Sequence, residues 1–128
     1  MSKINLQPQS MAVPAAPFVP GTKKGSFVFA SGQVALDGNG NLVGKGDVRV
    51  QTRQVLQNLN AVIEEGGATL NDVMKTTVFL SDMSNFAAMN GVYAEFFGNL
   101  KPARSTVQAL LARPEFLVEI EAIALIGD

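Results

Sequence analysis

The sequence contains no cysteine and no histidine. The first absence excludes disulfide bonds, thiolate nucleophiles and cysteine metal sites, and the second removes the commonest general base and metal ligand. Zinc deaminases, cysteine hydrolases and Ser-His-Asp hydrolases are therefore excluded. Any chemistry must come from Asp, Glu, Arg, Lys, Tyr, Ser or Thr side chains, and we expect the chain to work without a metal or another cofactor.

Charge is also scarce. Charged residues make up 16% of the chain, whereas roughly 25% is usual for a soluble domain. The net charge of −1 and the pI near 5.4 lack the basic excess that attracts nucleic acid or an anionic membrane. We therefore expect neither as a partner, and a surface so poor in charge suggests that copies of the chain bury part of it.

Long hydrophobic runs are missing as well. No stretch approaches the ~18 apolar residues of a membrane span, and the apolar run 11–20 is broken by Pro14, Pro17 and Pro20, which does not fit a signal peptide. The expected location is the cytosol. The length of 128 residues predicts a single domain over residues 1–128.

Proline and glycine divide the first part of the chain. Four of the six prolines fall in residues 1–25, which predicts a short edge strand around 3–6 followed by an irregular segment. Residues 26–34 have the β-branched and aromatic composition of a strand, and the glycine-rich run 37–46 predicts a tight reversal. A phosphate-binding loop is not favoured, because no Gly-Lys-Ser/Thr follows the glycines.

Two amphipathic helices are predicted in the remainder. Apolar residues at three- and four-residue spacing predict a helix from Asp47 to about Glu65. A second helix should follow a Ser81-Asp82 cap and end near Gly98, with an apolar stripe of Phe86, Met89, Tyr93, Phe96 and Phe97. Strands are predicted at 73–80, 103–111 and 116–126. This order indicates an α+β fold with two helices on one face of a mixed sheet.

The last predicted strand has two different faces, because side chains alternate along a strand. One face is wholly apolar and should lie under the helices: Phe116, Val118, Ile120, Ala122 and Ala124. The other carries Leu117, Glu119, Glu121, Ile123 and Leu125. A face with three apolar residues of five should not remain in water, yet no third helix is predicted to cover it. We expect another subunit to do so.

Glu119 and Glu121 are unusual because they fall inside this apolar strand, whereas nearly all other acidic residues do not. A buried carboxylate is costly unless it is paired, and its pKa is often perturbed, as that of a general base is. The structural alternatives are an ion pair or a charge that protects an edge strand from aggregation. Glu121 is expected to have a structural or interface role.

Arg104 is the second unusual residue. It stands at the start of a predicted strand, with Thr106 and Gln108 on the same face. Its planar guanidinium suits bidentate binding of a substrate carboxylate. The alternative is a surface or interface salt bridge, in which Glu119 on an adjacent antiparallel strand would be the partner. Tyr93, the single tyrosine, is expected in the core.

Several stretches are informative when taken together: APFVPG (16–21), FVFASGQV (27–34), QTRQVLQNLNAVIEEGGATLNDVMKTTVFLSDM (51–83), YAEFF (93–97), KPARS (101–105) and LVEIEAIA (117–124). They span nearly the whole chain and resemble the Rid/YjgF family. The Pro-x-Arg-Ser turn, the Ser-Gly-Gln triplet and the Glu-Ile-Glu-Ala-Ile-Ala ending are specific in combination. Within the family, PFVPGT, YAEFF and KPAR look most like the RutC-like branch, which acts on aminoacrylate in pyrimidine breakdown.

The resemblance implies a homotrimer of chorismate-mutase-like α+β protomers, with active sites in three clefts between subunits. By position, it implies that Arg104 binds the substrate carboxylate and that Glu119 activates water. The pocket serine falls on Ser31, next to Gly32, and the pocket asparagine on Asn90.

Two pocket positions differ from the pattern of the family. Its pocket tyrosine corresponds to Phe18, which removes a phenol donor, although the aminoacrylate branch also has phenylalanine there. Its cysteine two residues after the arginine corresponds to Thr106, whose hydroxyl can hold water.

The function implied by the resemblance is hydrolytic, cofactor-free deamination of enamine or imine acids such as 2-aminoacrylate or 3-aminoacrylate. In this hypothesis Arg104 clamps the carboxylate, while Glu119, helped by Thr106, orients and deprotonates water. The main alternative is a non-catalytic trimer that binds small carboxylates such as 2-oxo acids through Arg104. The ribonuclease activity attributed to some relatives is not favoured by the acidic pI and the lack of histidine.

Overall fold

Residues 1–127, which the computed structural model describes, form six strands and two α-helices. The elements are β1 (Ile4–Leu6), β2 (Gly21–Lys24), β3 (Phe27–Gln33), α1 (Val48–Glu65), β4 (Val73–Leu80), α2 (Phe86–Phe97), β5 (Ala103–Gln108) and β6 (Val118–Leu125). The strands make one sheet in the order β1-β2-β3-β6-β4-β5. Only the β4–β5 pair within this described part is parallel, so the predicted mixed sheet with two helices is confirmed.

Helix α1 begins and ends where its sequence predicts. The Asp47 carboxylate accepts hydrogen bonds from the backbone N–H groups of Arg49 at 3.0 Å and Val50 at 3.1 Å, which are donors that a helix cannot satisfy internally. Gly66 is the C-cap, and its N–H donates to the Val62 carbonyl. The buried face of α1 packs on β3, β6 and α2.

Strand β2 was not predicted, and the prediction that residues 7–25 are irregular is wrong at this point. Gly21–Lys24 is short and polar and follows Pro20, so its own sequence does not indicate a strand. It becomes one because β1 and β3 pair with it on both sides. The β2–β3 turn passes through Gly25, whose φ of 59° favours glycine.

Helix α2 follows a short 3₁₀ turn, Met83–Asn85, that Asp82 caps by accepting from the Ser84 N–H at 2.8 Å. Its stripe is partly as predicted: Met89, Tyr93 and Phe97 are buried, and Phe96 is half-buried. Phe86 is 39% exposed, which corrects its assignment to the core. The strands predicted at 103–111 and 116–126 are shorter, ending at Gln108 and beginning at Val118.

The two faces of β6 differ as predicted. Phe116, Val118, Ile120, Ala122 and Ala124 are all buried under the helices. On the other face, Ile123 and Leu125 pair across the sheet with Phe29 and Phe27, and all four side chains are exposed. We call this surface the open face. None of the helices in residues 1–127 is both long and apolar enough to cross a membrane.

Candidate active site

Glu119 lies on the open face, in an interior strand of the sheet. Its strand, β6, has β3 on one side and β4 on the other, and Glu119 stands opposite Phe79. Among residues 1–127, no cation lies within salt-bridge distance of its carboxylate and no donor makes a hydrogen bond to it. The edge-strand alternative for Glu119 is therefore wrong, and an ion pair within residues 1–127 is excluded, whereas an ion pair with another copy stays an alternative.

The surroundings of Glu119 favour its neutral form. Burial of half of the side chain raises the pKa of this carboxyl above its usual value, and the like charge of Glu121 raises the pKa further. Glu121 is two residues along the same strand, so its side chain is on the same face about 6.6 Å away. A raised pKa brings a carboxylate closer to the basicity that proton abstraction near neutral pH needs.

A β-bulge in β3 contains Ser31 and Gly32, and it brings Gly32 beside Glu119. Ala30 pairs with Ala122 and Gln33 with Ile120, so both bulge residues stand opposite Glu121 alone. The Ser31 hydroxyl donates to the Val19 carbonyl at 2.6 Å. Gly32 lies directly against the Glu119 carboxylate, because a Cβ added there would overlap its Oε2 and lie 2.9 Å from its Cδ.

Phe18 belongs to the same region. It lies in the segment that Ser31 ties down through Val19, and it shares the wall of one cavity with Gly32. The phenyl group is 54% exposed. Phe18, Ser31, Gly32 and Glu119 thus form one group of predicted site residues, which we call the glutamate half-site.

Arg104 lies on the opposite face of the sheet. It pairs with Thr76 in the parallel β4–β5 ladder, and its guanidinium carbon is 4.8 Å from the Tyr93 ring centroid and 5.6 Å from that of Phe86. Cations are attracted to aromatic faces at such distances. No carboxylate of residues 1–127 forms a salt bridge with Arg104, so its charge is held by rings and remains available to an anion.

Tyr93 supports Arg104 from the core, as its predicted burial allows. Its hydroxyl and that of Thr76 are 2.7 Å apart and share a hydrogen bond. Burial raises the pKa of the Tyr93 phenol, and the Thr76 hydrogen bond and the charge of Arg104 offset this only in part. The phenol is therefore neutral at physiological pH and serves as a fixed surface beneath the guanidinium.

Asn90 and Thr106 contribute unpaired polar atoms near Arg104. Asn90 lines a cavity of about 360 Å³ together with Tyr93, Lys101 and Arg104. Thr106 is two residues beyond Arg104 on the same face, as predicted. Asn90 Oδ1 and Thr106 Oγ1 are buried without a hydrogen-bond partner among residues 1–127, which is a costly state for a polar atom. Arg104, Asn90 and Thr106 form what we call the arginine half-site.

The two half-sites do not meet within one chain. Strand β4 separates β5 from β6, and Arg104 points to the helix side whereas Glu119 points to the open face. The alternative in which Arg104 and Glu119 pair across adjacent antiparallel strands is therefore wrong. The error arose because consecutive strands often pair, but β5 instead joins β4 in parallel.

The sequence analysis missed the aromatic support of Arg104. Phe86 and Tyr93 are seven residues apart on α2 and lie on the same side of the helix. Their spacing was visible, but nothing in the sequence pairs that helix face with β5. No cluster of three or more acidic side chains within residues 1–127 could hold a metal ion.

Comparison with known proteins agrees with this architecture. Residues 9–126 match the family model described as Endoribonuclease L-PSP. A RutC family protein of Pyrococcus horikoshii is 49% identical over 111 residues, covering 87% of this chain and 88% of that protein.

Two crystal structures of Escherichia coli proteins superpose closely. TdcF with bound serine is 34% identical with a TM-score of 0.89, covering 97% of this chain and 99% of the other. The YjgF gene product is 33% identical with a TM-score of 0.88 and the same coverage. With the family model matching most of the chain, this protein belongs to the L-PSP/YjgF family, also called the Rid family.

Proposed function

We propose that this protein is a hydrolytic deaminase of reactive enamine and imine acids, releasing ammonia and a carbonyl acid. The observation that carries the proposal is a half-buried Glu119 carboxylate with a raised pKa and no partner among residues 1–127. A protein retains such a costly group where its charge or its proton is used. The unpaired cation Arg104 supplies the complementary feature.

The reaction follows from these two groups. Arg104 binds the substrate carboxylate through parallel N–H···O hydrogen bonds, which orients the adjacent imine carbon. Glu119 takes a proton from water, and the resulting hydroxide bonds to that carbon to give a carbinolamine. Glu119 returns this proton to nitrogen, which completes the neutral carbinolamine. It then moves the carbinolamine hydroxyl proton to the same nitrogen, so that the C=O bond forms as the C–N bond breaks and ammonia and the 2-oxo acid leave. General base catalysis of this kind contributes typically 10²- to 10⁴-fold.

The unpaired Thr106 and Asn90 atoms have roles in this scheme. The Thr106 hydroxyl can donate to or accept from the attacking water, and the Asn90 carbonyl oxygen can accept from the substrate N–H group. Both atoms would gain the hydrogen bonds that residues 1–127 do not provide.

A complete site needs two copies of the chain, because the half-sites lie on opposite faces of the sheet. We propose a homotrimer in which the arginine half-site of one copy meets the glutamate half-site of the next. The exposed Phe27, Phe29, Ile123 and Leu125 would then be covered, as an apolar sheet face requires.

A non-catalytic binder of small carboxylates is the second candidate. It is favoured by the relative TdcF, whose structure holds bound serine, since serine has a carboxylate but no imine. This candidate needs Arg104 and makes Glu119 dispensable. An endoribonuclease, the activity in the description of the family model, has less support, because 10 Lys and Arg against 11 Asp and Glu give no basic surface for RNA.

The test is release of ammonia or oxo acid from enzymatically generated 2-aminoacrylate and, separately, 3-aminoacrylate. Wild type, Arg104→Ala and Glu119→Gln are compared, with Glu64→Gln on the exposed side of α1 as the matched control. Acceleration that both half-site variants lose and the control keeps supports the deaminase. A wild type that only matches the spontaneous rate, yet binds pyruvate through Arg104, would replace catalysis by the binding function.

A further inference from the structure

A cavity of about 280 Å³ adjoins the glutamate half-site. Its wall is formed by the proline-rich segment 11–20, the residues that follow β3, and Asn58 of α1. Phe18 and Gly32 belong both to this wall and to the half-site. Gly32 also lies against the Glu119 carboxylate, so the cavity and the catalytic base proposed above have this residue as a common neighbour.

The cavity is apolar inside. Met11, Val13, Phe18, Val34 and Leu36 are among the residues that line it. These side chains make more dispersion contacts with a larger hydrocarbon group, and they carry no polar atoms for it to displace from water.

The polar residues of the wall are already engaged. The Gln33 side-chain amide donates to the Ser31 carbonyl at 3.1 Å and that of Asn58 to the Leu36 carbonyl at 2.9 Å. The Asp37 carboxylate accepts from two backbone N–H groups of its own turn. The Arg113 guanidinium lies 5.1 Å from the Phe116 ring centroid. A neutral polar group that entered the cavity would therefore have to compete with these existing contacts for a partner.

We propose that this cavity is the subsite for the substrate's side chain, and that it selects 2-imino acids with a branched aliphatic or aromatic side chain. This inference rests on the proposed function. An apolar cavity of roughly 150 Å³ can hold benzene, so the larger volume here accommodates a leucine or phenylalanine side chain. The side chain of 2-iminopropanoate, a single methyl group, would leave it nearly empty.

The selectivity has a defined size and direction. In an apolar pocket, one methylene more or less in the substrate changes kcat/KM by roughly 10-fold or more. The kcat/KM for the imine of leucine should therefore exceed that for the imine of alanine by at least about 10-fold. The imine of asparagine, nearly the same shape as that of leucine but polar, should be no better than that of alanine.

Two neighbouring alanines provide a matched pair of variants. Ala15 lines the cavity and Ala16 does not, and both are exposed in the same irregular segment. Ala15→Phe should fill the cavity and make the kcat/KM values for the imines of leucine and alanine nearly equal. Ala16→Phe should keep the wild-type ratio of these two values. The imines are generated in place by an amino-acid oxidase, and ammonia release is followed against the uncatalysed rate.

The subsite would be overturned if wild type had nearly equal kcat/KM values for the two imines, or if Ala15→Phe and Ala16→Phe behaved alike. The deaminase would stand in either case, provided that the imine of alanine is still hydrolysed. If neither imine is hydrolysed, the proposed function fails instead. The subsite is then judged by calorimetry with 4-methyl-2-oxopentanoate and pyruvate. Tighter binding of 4-methyl-2-oxopentanoate than of pyruvate, lost in Ala15→Phe but not in Ala16→Phe, supports the subsite. Equal affinities for the two oxo acids overturn it.

Discussion

At the scale of single residues, Glu119 and Arg104 show how a site can hold charge without pairing it inside one chain. The carboxylate is half-buried on the open face beside Glu121, and the guanidinium lies on two aromatic rings. Each group leaves its charge available to something outside the chain. Two predictions test the cost and the benefit of this arrangement.

Glu119→Gln should lower kcat/KM for imine hydrolysis by at least about 100-fold and yet raise the free energy of unfolding at pH 7. The raised pKa means that the folded chain binds this proton more tightly than the unfolded chain. Stability is therefore highest below the usual glutamate pKa and falls as pH rises through the raised value. Because the carboxylate is only half-buried and solvent screens it, we expect a small gain of about 0.5 kcal/mol at pH 7, vanishing near pH 4, measured by denaturant unfolding. A loss of stability would mean that a neighbouring copy neutralises Glu119.

Two substitutions of Tyr93 distinguish its contact with Arg104 from its contribution to the stability of the core. Tyr93→Leu removes the ring 4.8 Å from the guanidinium carbon and should raise KM by about 2- to 30-fold with a smaller change in kcat, as a cation–π contact of roughly 0.5–2 kcal/mol implies. Tyr93→Phe keeps the ring, so KM should stay near wild type. It leaves Thr76 without its partner, which should cost about 1–2 kcal/mol of stability. Equal KM values in the two variants would contradict the support role.

At the scale of elements, β6 and the bulge in β3 set the environment of Glu119. Alternation along β6 puts Glu119 and Glu121 on one face and the buried apolar side chains on the other. The bulge brings Gly32 against Glu119, where a larger residue would require the Glu119 side chain to move. The basicity of Glu119 is thus a property of the strand pair as well as of the residue.

Glu121→Gln tests this coupling. Removing the like charge should lower the pKa of Glu119, so the base stays deprotonated to a lower pH. The acid limb of the kcat/KM profile should therefore move to lower pH, while Glu64→Gln, on the exposed side of α1, leaves it in place. A shift to higher pH, or the same shift in both variants, would refute the coupling.

At the scale of the whole molecule, the proposed function requires two surfaces of the chain to meet in an assembly. The half-sites lie on opposite faces, and the open face presents apolar side chains from β3 and β6. A closed ring of copies joined head to tail uses both features at each contact.

Phe29→Lys should break this assembly. Phe29 is 44% exposed in the chain, and an ammonium group buried against another copy would be unpaired. Light scattering should give the mass of a trimer for wild type and for Gln57→Lys, on the exposed side of α1, and that of a monomer for Phe29→Lys, which should be inactive. A trimeric Phe29→Lys variant would place the interface elsewhere.

Mixing two inactive variants tests the shared site directly. Trimers refolded from equal amounts of Arg104→Ala and Glu119→Gln contain contacts in which an intact Arg104 from one copy meets an intact Glu119 from another. Random mixing makes roughly a quarter of the sites complete, so about that fraction of wild-type activity should return. No recovery in mixed trimers would indicate that each site is built from one chain.

Much of the secondary structure followed from local sequence. The cap and spacing of α1, the span of β4, and the two faces of β6 are local patterns, because a helix repeats every 3.6 residues and a strand every two. The unusual character of Glu119 was also visible, since a charge inside an apolar strand stands out whatever the strand pairs with. Arg104 was visible as a charge at the start of a strand.

Pairing between distant segments was decided only by the tertiary structure. Strand β2 exists because two other strands flank it, and Arg104 is separated from Glu119 because β5 joins β4 rather than β6. The aromatic support of Arg104 and the cavity beside Gly32 likewise join residues far apart in the chain. Local periodicity determines which side chains share a face of an element, whereas the neighbour of that face depends on how the whole chain buries its apolar surface.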